Sequence, residues 1–81
     1  MLAKNVKVGD RIKCRVSDCE VAGVEKPDSC GYYIFRVSDV LKFTDNHVAL
    51  VEYRNVVTSG YKTTRKTFYK FDCNCEVEKE I

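Results

Sequence analysis

Helix and strand breakers are scarce: the 81 residues hold four glycines and one proline, with one histidine and no tryptophan. That scarcity excludes a collagen-like or low-complexity chain. Long hydrophobic runs are missing too, and none approaches the roughly 18–20 residues of a membrane-spanning helix. The opening Met1-Leu2-Ala3-Lys4-Asn5 has neither the apolar segment nor the cleavage site of a secretory signal, so a cytoplasmic, reducing environment is expected. Charge of one sign is not in excess. Fourteen Lys and Arg against twelve Asp and Glu leave a net +2, too little to make the whole surface a polyanion binder. No glycine-rich phosphate loop, metalloprotease helix or nucleophile elbow occurs. His47 has no flanking signature for a Cys–His dyad, and carboxylates such as Asp39, Asp45 and Glu52 stand in no distinguishing context. These absences argue against an enzyme and against a required cofactor.

What is present is the composition of one folded domain. The chain is 44% hydrophobic, with five tyrosines, four phenylalanines and abundant valine, well away from the disordered class. A domain of this length buries only about 60–65% of its unfolded surface, so residues 1–81 are read as a single unit, with 78–81 a short acidic tail.

The cysteines are Cys14, Cys19, Cys30, Cys73 and Cys75. Five is an odd number, so a fully paired disulfide framework would leave one over, and a reducing compartment keeps thiols free. Structural zinc sites pair their ligands through two to four intervening residues, and the Cys73-Asn74-Cys75 spacing is shorter than that. No metal is therefore expected; if zinc were bound, Cys19, Cys30, Cys73 and Cys75 would be its ligands. The simpler reading makes Cys14 a small buried hydrophobe and leaves the other thiols scattered.

Periodicity gives the fold class. From Arg11 to Val16, Ile12, Cys14 and Val16 alternate with Arg11, Lys13 and Arg15, the period of a half-buried strand launched by Gly9-Asp10. Glu20 to Val24 extends it or forms an edge, and residues 25–31 form a loop by their breakers. Tyr32 to Val37 is apolar on both faces, which suits a central strand. Thr44-Asp45-Asn46 reads as a hairpin turn between Val40–Phe43 and His47–Tyr53, since Asp and Asn tolerate the left-handed backbone of tight turns. A second turn at Thr58-Ser59-Gly60 leads into the uninterrupted run Tyr61–Phe71, and a last strand is placed at Cys73–Val77. The expected architecture is an all-β antiparallel meander of five or six strands curled into a small barrel, with at most one helical turn. Its expected core is Ile12, Val16, Ile34, Phe35, Leu41, Leu50 and Val51.

The distribution of charge says more than its sum. Residues 61–71 carry four basic side chains and no acidic one, whereas residues 72–81 carry one basic and four acidic. By the two-residue period Lys62, Lys66 and Lys70 share a face with Phe68 among them, Arg65 lies opposite, and Arg11, Lys13 and Arg15 form a second row. If the two strands were neighbours, these rows would merge into a positive patch with interleaved aromatics, the footprint used for phosphate backbones and stacked bases. The acidic tail could fold back over such a patch. Those eight residues are the candidate contact surface.

The expected function is a standalone, non-enzymatic binding protein, an inhibitor or accessory factor of the kind common in phages and mobile elements. It would act through protein–protein contacts that use its tyrosines or a free strand edge. The alternative is a nucleic-acid or nucleotide (phosphate ligand) binder working through the basic faces. A homo-oligomer fits either reading, and no membrane is involved.

Overall fold

A computed structural model of the chain describes residues 1–23 and 25–80. Strands make up 58% and helical turns 8%. The seven strands are β1 (Arg11–Arg15), β2 (Glu20–Ala22), β3 (Tyr32–Arg36), β4 (Asp39–Lys42), β5 (His47–Thr58), β6 (Tyr61–Asp72) and β7 (Glu78–Glu80), with single 3-10 turns at Ala3–Asn5 and Val16–Asp18. They form two antiparallel sheets, ordered β3-β1-β7 and β2-β6-β5-β4.

Neither sheet closes into the expected barrel. The chain leaves the first sheet at the 3-10 turn Val16–Asp18 and enters the second at Glu20, so β1 and β2 belong to different sheets instead of continuing one another. The core lies between the two layers. From one side come Ile12, Cys14, Tyr33 and Phe35, and from the other Val48, Leu50, Tyr69 and Phe71. Tyr69 joins them: its ring stacks on Phe35 with centroids 3.8 Å apart and meets the edge of Tyr33 at 5.5 Å.

Of the seven expected core residues, Ile12, Phe35, Leu50 and Val51 are buried, and Val16, Ile34 and Leu41 are not. Each exception has a local cause. β1 ends at Arg15, so Val16 begins the 3-10 turn and leaves the alternation. In β3 the inward positions are Tyr33 and Phe35, which turns Ile34 out. β3 is also an edge strand, not a central one, because β1 holds the middle of that sheet. In β4 Val40 faces the core and Leu41 the opposite side of the sheet. The β4–β5 hairpin forms, but through the four residues 43–46 and without the left-handed backbone expected at Asp45 and Asn46: the one described non-glycine residue with positive φ is Ser59. The strand placed at Cys73–Val77 does not form: that segment turns, makes one bridge from Glu76 to Leu2, and the final strand comes later as β7. The acidic tail is thus part of a sheet through Glu80, and Ile81 lies outside the described residues.

Leu50 is fully buried at the centre of the second sheet. Leu50→Ala should cost about 2–5 kcal/mol, read as a shift in the denaturation midpoint at unchanged slope. A loss below about 1 kcal/mol would contradict its burial.

Candidate functional site

β5 and β6 are twelve residues each, far longer than their neighbours. β4 covers β5 only over Val48–Val51, and β2 covers β6 only over Phe68–Lys70. Beyond those rungs the two strands pair with each other alone, from Tyr53↔Lys66 to Thr58↔Tyr61. At about 3.3 Å per residue, these six rungs project roughly 20 Å from the body, which accounts for the long axis of a molecule measuring 41 × 28 × 23 Å. The tip is a two-residue turn in which Ser59 (φ 52°) and Gly60 (φ 83°) are both left-handed. Two positive φ values define the turn that matches the twist of a two-stranded ribbon, and glycine adopts one without strain.

The sequence of the ribbon explains its exposure. Residues 62–66, Lys-Thr-Thr-Arg-Lys, offer no apolar group to either face, so neither side can serve a core. Tyr61 is 76% exposed and Val57 65%; only Val56 is half-buried. One face carries Lys62 opposite Val57, Thr64 opposite Asn55 with a 3.2 Å hydroxyl-to-amide-oxygen hydrogen bond, and Lys66 opposite Tyr53. The Lys66 ammonium lies 5.4 Å from the centroid of the Tyr53 ring, a cation–π contact. The other face carries Arg65 opposite Arg54, with Tyr61 opposite Thr58.

The base of the ribbon is held by a polar cluster. Arg54 meets Glu25 of the 25–31 loop at 3.0 Å and Glu52 at 3.5 Å, and the Tyr69 hydroxyl donates to Glu52 at 3.4 Å. Burial pushes the Glu52 carboxyl above the usual carboxylate range, with Arg54 opposing the shift, and burial also raises Tyr69. Arg54 is therefore neutralised. Among the described residues Lys62, Arg65 and Lys66 make no ion pair, and the segment from Tyr53 to Lys66 contains no acidic residue.

The candidate residues separate into two groups. Lys62, Lys66, Phe68 and Lys70 do share one face of β6, with Arg65 on the other. Phe68, however, is half-buried on the rung between Val51 and Ala22, and Lys70 is half-buried beside Ala49 and Glu20. Phe68 helps cover the outer side of the sheet, so it is not the exposed phenylalanine that alternation alone implies. Arg11, Lys13 and Arg15 belong to the other sheet, and β1 and β6 are not neighbours, so the two rows do not merge. The acidic segment lies against the β1 row instead: Glu80 is opposite Arg11 and Glu78 opposite Lys13, at cross-strand distances of about 4.5–5.5 Å. The open cleft beside Lys13 and Arg15 also includes Asp18, Glu76 and Glu78. Lys79 and the Met1 ammonium also line it, but the ammonium is paired with Glu76 and Lys79 with Asp10, so an anion there would meet three carboxylates among partly paired cations. Tyr53 and Arg54, which were not among the candidate contact residues, belong to the ribbon; the signal was the loss of a continuous apolar face after Tyr53.

The thiols are less scattered than expected. Cys14 and Cys19 touch, with Sγ atoms 4.0 Å apart. Cys30 is exposed in the loop, Cys73 Sγ points to the Asp45 carbonyl at 3.8 Å, and Cys75 Sγ to the Asp18 carbonyl at 3.9 Å. The provisional zinc set of Cys19, Cys30, Cys73 and Cys75 does not converge, and among the described residues no group of three metal-ligating side chains is placed to hold an ion. His47 and Cys19 line the same cleft, but His47 Nδ1 lies 3.3 Å from the Thr44 hydroxyl and the Cys19 thiol contacts Cys14.

Set against known proteins, the chain matches no family model, no curated protein and no solved structure.

Proposed function

We propose that the protein is a non-enzymatic binding protein that engages nucleic acid with the β5–β6 ribbon. The observation that carries this reading is the ribbon itself: a two-stranded arm, exposed on both faces, with three unpaired cations and no carboxylate between Tyr53 and Lys66. Duplex DNA has a major groove about 12 Å wide that admits such a ribbon, and sheet-based readers lay strands in a groove in this manner. Lys62, Lys66 and Arg65 would reach phosphates on either side, while Tyr53 and Tyr61 offer rings for sugars or unstacked bases. The clefts of the body suit a small phosphorylated ligand less well, because the basic one is lined by carboxylates too.

Fluorescence anisotropy with a short labelled DNA duplex tests the proposal. Three phosphate contacts should give a log–log salt slope of about −2.7, at about −0.9 for each neutralised phosphate. Absence of binding at low salt, or affinity indifferent to salt, would refute it. A second reading has its own observation. Past Tyr53, whose N–H donates to the Ser38 hydroxyl, the outer edge of β5 has no strand partner among the described residues, and its Asn55-Val56-Val57-Thr58 run is uncharged. An inhibitor or accessory factor would add a partner's strand there, with an affinity nearly independent of salt.

A further inference from the structure

We propose that Cys14 and Cys19 form a dithiol site that is oxidised to an intramolecular disulfide by exchange with a low-molecular-weight disulfide. The two Sγ atoms, 4.0 Å apart, make the only thiol–thiol contact among the described residues. A bond requires an approach to about 2 Å. The backbone between them is already folded for it. After Cys14 the chain turns through Val16–Asp18, and the Arg15 N–H donates to the Asp18 carboxylate at 3.1 Å, closing the turn that brings Cys19 back over Cys14.

The two thiols differ in access and in chemistry. Cys14 borders the cleft beside Lys13 and Arg15 but is only 3% exposed, whereas Cys19 is half-buried and lines an open cleft of ≈ 230 Å³ with His47, Lys70 and Asp72. Cys19 is thus the thiol an external reagent meets. The hydrogen bond from Cys14 holds the Cys19 thiol below its ordinary pKa, against the opposing effect of burial, and the same bond together with burial raises that of Cys14. The thiolate is the attacking form.

Cys19 thiolate attacks one sulfur of the external disulfide. A Cys19–S–S–R bond forms, the external S–S bond breaks, and one external thiol leaves. With Cys19 no longer charged, the chief cause holding the proton on Cys14 is gone. Cys14 gives that proton to solvent and its thiolate attacks Cys19 Sγ, expelling the second external thiol. In total two protein thiols are oxidised to one disulfide, and one external disulfide is reduced to two thiols that take up the two protons. The new bond joins β1 of one sheet to the lead into β2 of the other.

Oxidised glutathione is the probe, applied to the full chain carrying Cys30→Ser so that the exposed thiol does not interfere. Remaining thiols are alkylated before trypsin digestion. Cleavage after Lys13 and Arg15 separates the two cysteines, so the expected product is the Cys14-Arg15 dipeptide disulfide-bonded to the peptide of residues 16–36, with Cys73 and Cys75 alkylated. Glutathione retained on Cys19 with Cys14 alkylated, or a Cys19–Cys75 link, would overturn the proposal. A second variant tests the order of access while leaving the core residue Cys14 in place. In Cys19→Ser the buried Cys14 should react with glutathione at least about tenfold more slowly than Cys19 does in the parent chain; equal rates would also overturn it.

Discussion

Tyr69→Ala is expected to cost about 3–5 kcal/mol, a large share of what holds this chain folded. Domains of this kind hold only about 5–15 kcal/mol in total, and an 81-residue domain belongs near the lower end. Tyr69 is 1% exposed and has contacts in both layers. Its ring lies flat on Phe35, a residue of the opposite sheet, and its edge meets Tyr33. Removing it therefore opens a cavity where, among the described residues, aromatic rings from the two sheets interlock. The substitution also withdraws the hydroxyl that donates to Glu52, leaving that buried carboxyl with Arg54 alone. Tyr69→Phe isolates this second effect. It keeps the ring and should cost about 1–3 kcal/mol, the usual loss when a buried acceptor is left without its donor. Chemical denaturation of the three chains checks the ordering. A Tyr69→Ala chain as stable as Tyr69→Phe would mean that the ring stack contributes nothing and that the two sheets are held together elsewhere.

This interlock was only half legible in the sequence. Alternation over 11–16 and 61–71 and the Asp45-Asn46 turn are signals a chain of β-branched and aromatic residues makes strongly, and they placed β1, β5 and β6. Orientation was legible where one face is polar, as in β1, where Ile12 and Cys14 point inward. It was not legible in Tyr32–Val37, where apolar residues occupy both faces and only the register with β1 turns Tyr33 and Phe35 inward and Ile34 out. Closure failed as an expectation for a related reason. Nothing in a local pattern says whether a short turn such as Val16–Asp18 continues a sheet or crosses to another layer. The candidate site shows the same division. The lysine row on β6 follows from period two, but its meaning depends on where the sheet ends. The overhang was in fact encoded: residues 54–66 lack a continuous apolar face, and a strand pair without one has no core to cover. The contact of Cys14 with Cys19 depends on a turn closed by a single Asp18 carboxylate, which spacing alone does not reveal.

Lys62→Glu with Lys66→Glu should weaken DNA binding by more than about tenfold while leaving the melting temperature almost unchanged, because exposed substitutions seldom exceed about 0.5 kcal/mol. Both side chains are exposed, both lie on the same ribbon face, and neither has an acidic partner. The change therefore removes two attractive charges and adds two repulsive ones without releasing a buried group. Lys66 does give up its place over the Tyr53 ring, but an exposed contact of that kind is worth only about 0.5–1 kcal/mol. If each lysine neutralises one phosphate, the salt slope should also flatten by about two units. Arg11→Glu with Lys13→Glu is the matching control. Those residues already stand opposite Glu80 and Glu78, so reversing them should leave affinity and salt slope close to the parent values, though like charges across β1 and β7 will lower stability. The contrast between the two pairs is what locates the contact. Loss of binding in the β1 pair with normal binding in the ribbon pair would move the interface to the three-stranded sheet and leave Lys62 and Lys66 as residues that guard an exposed strand from aggregation.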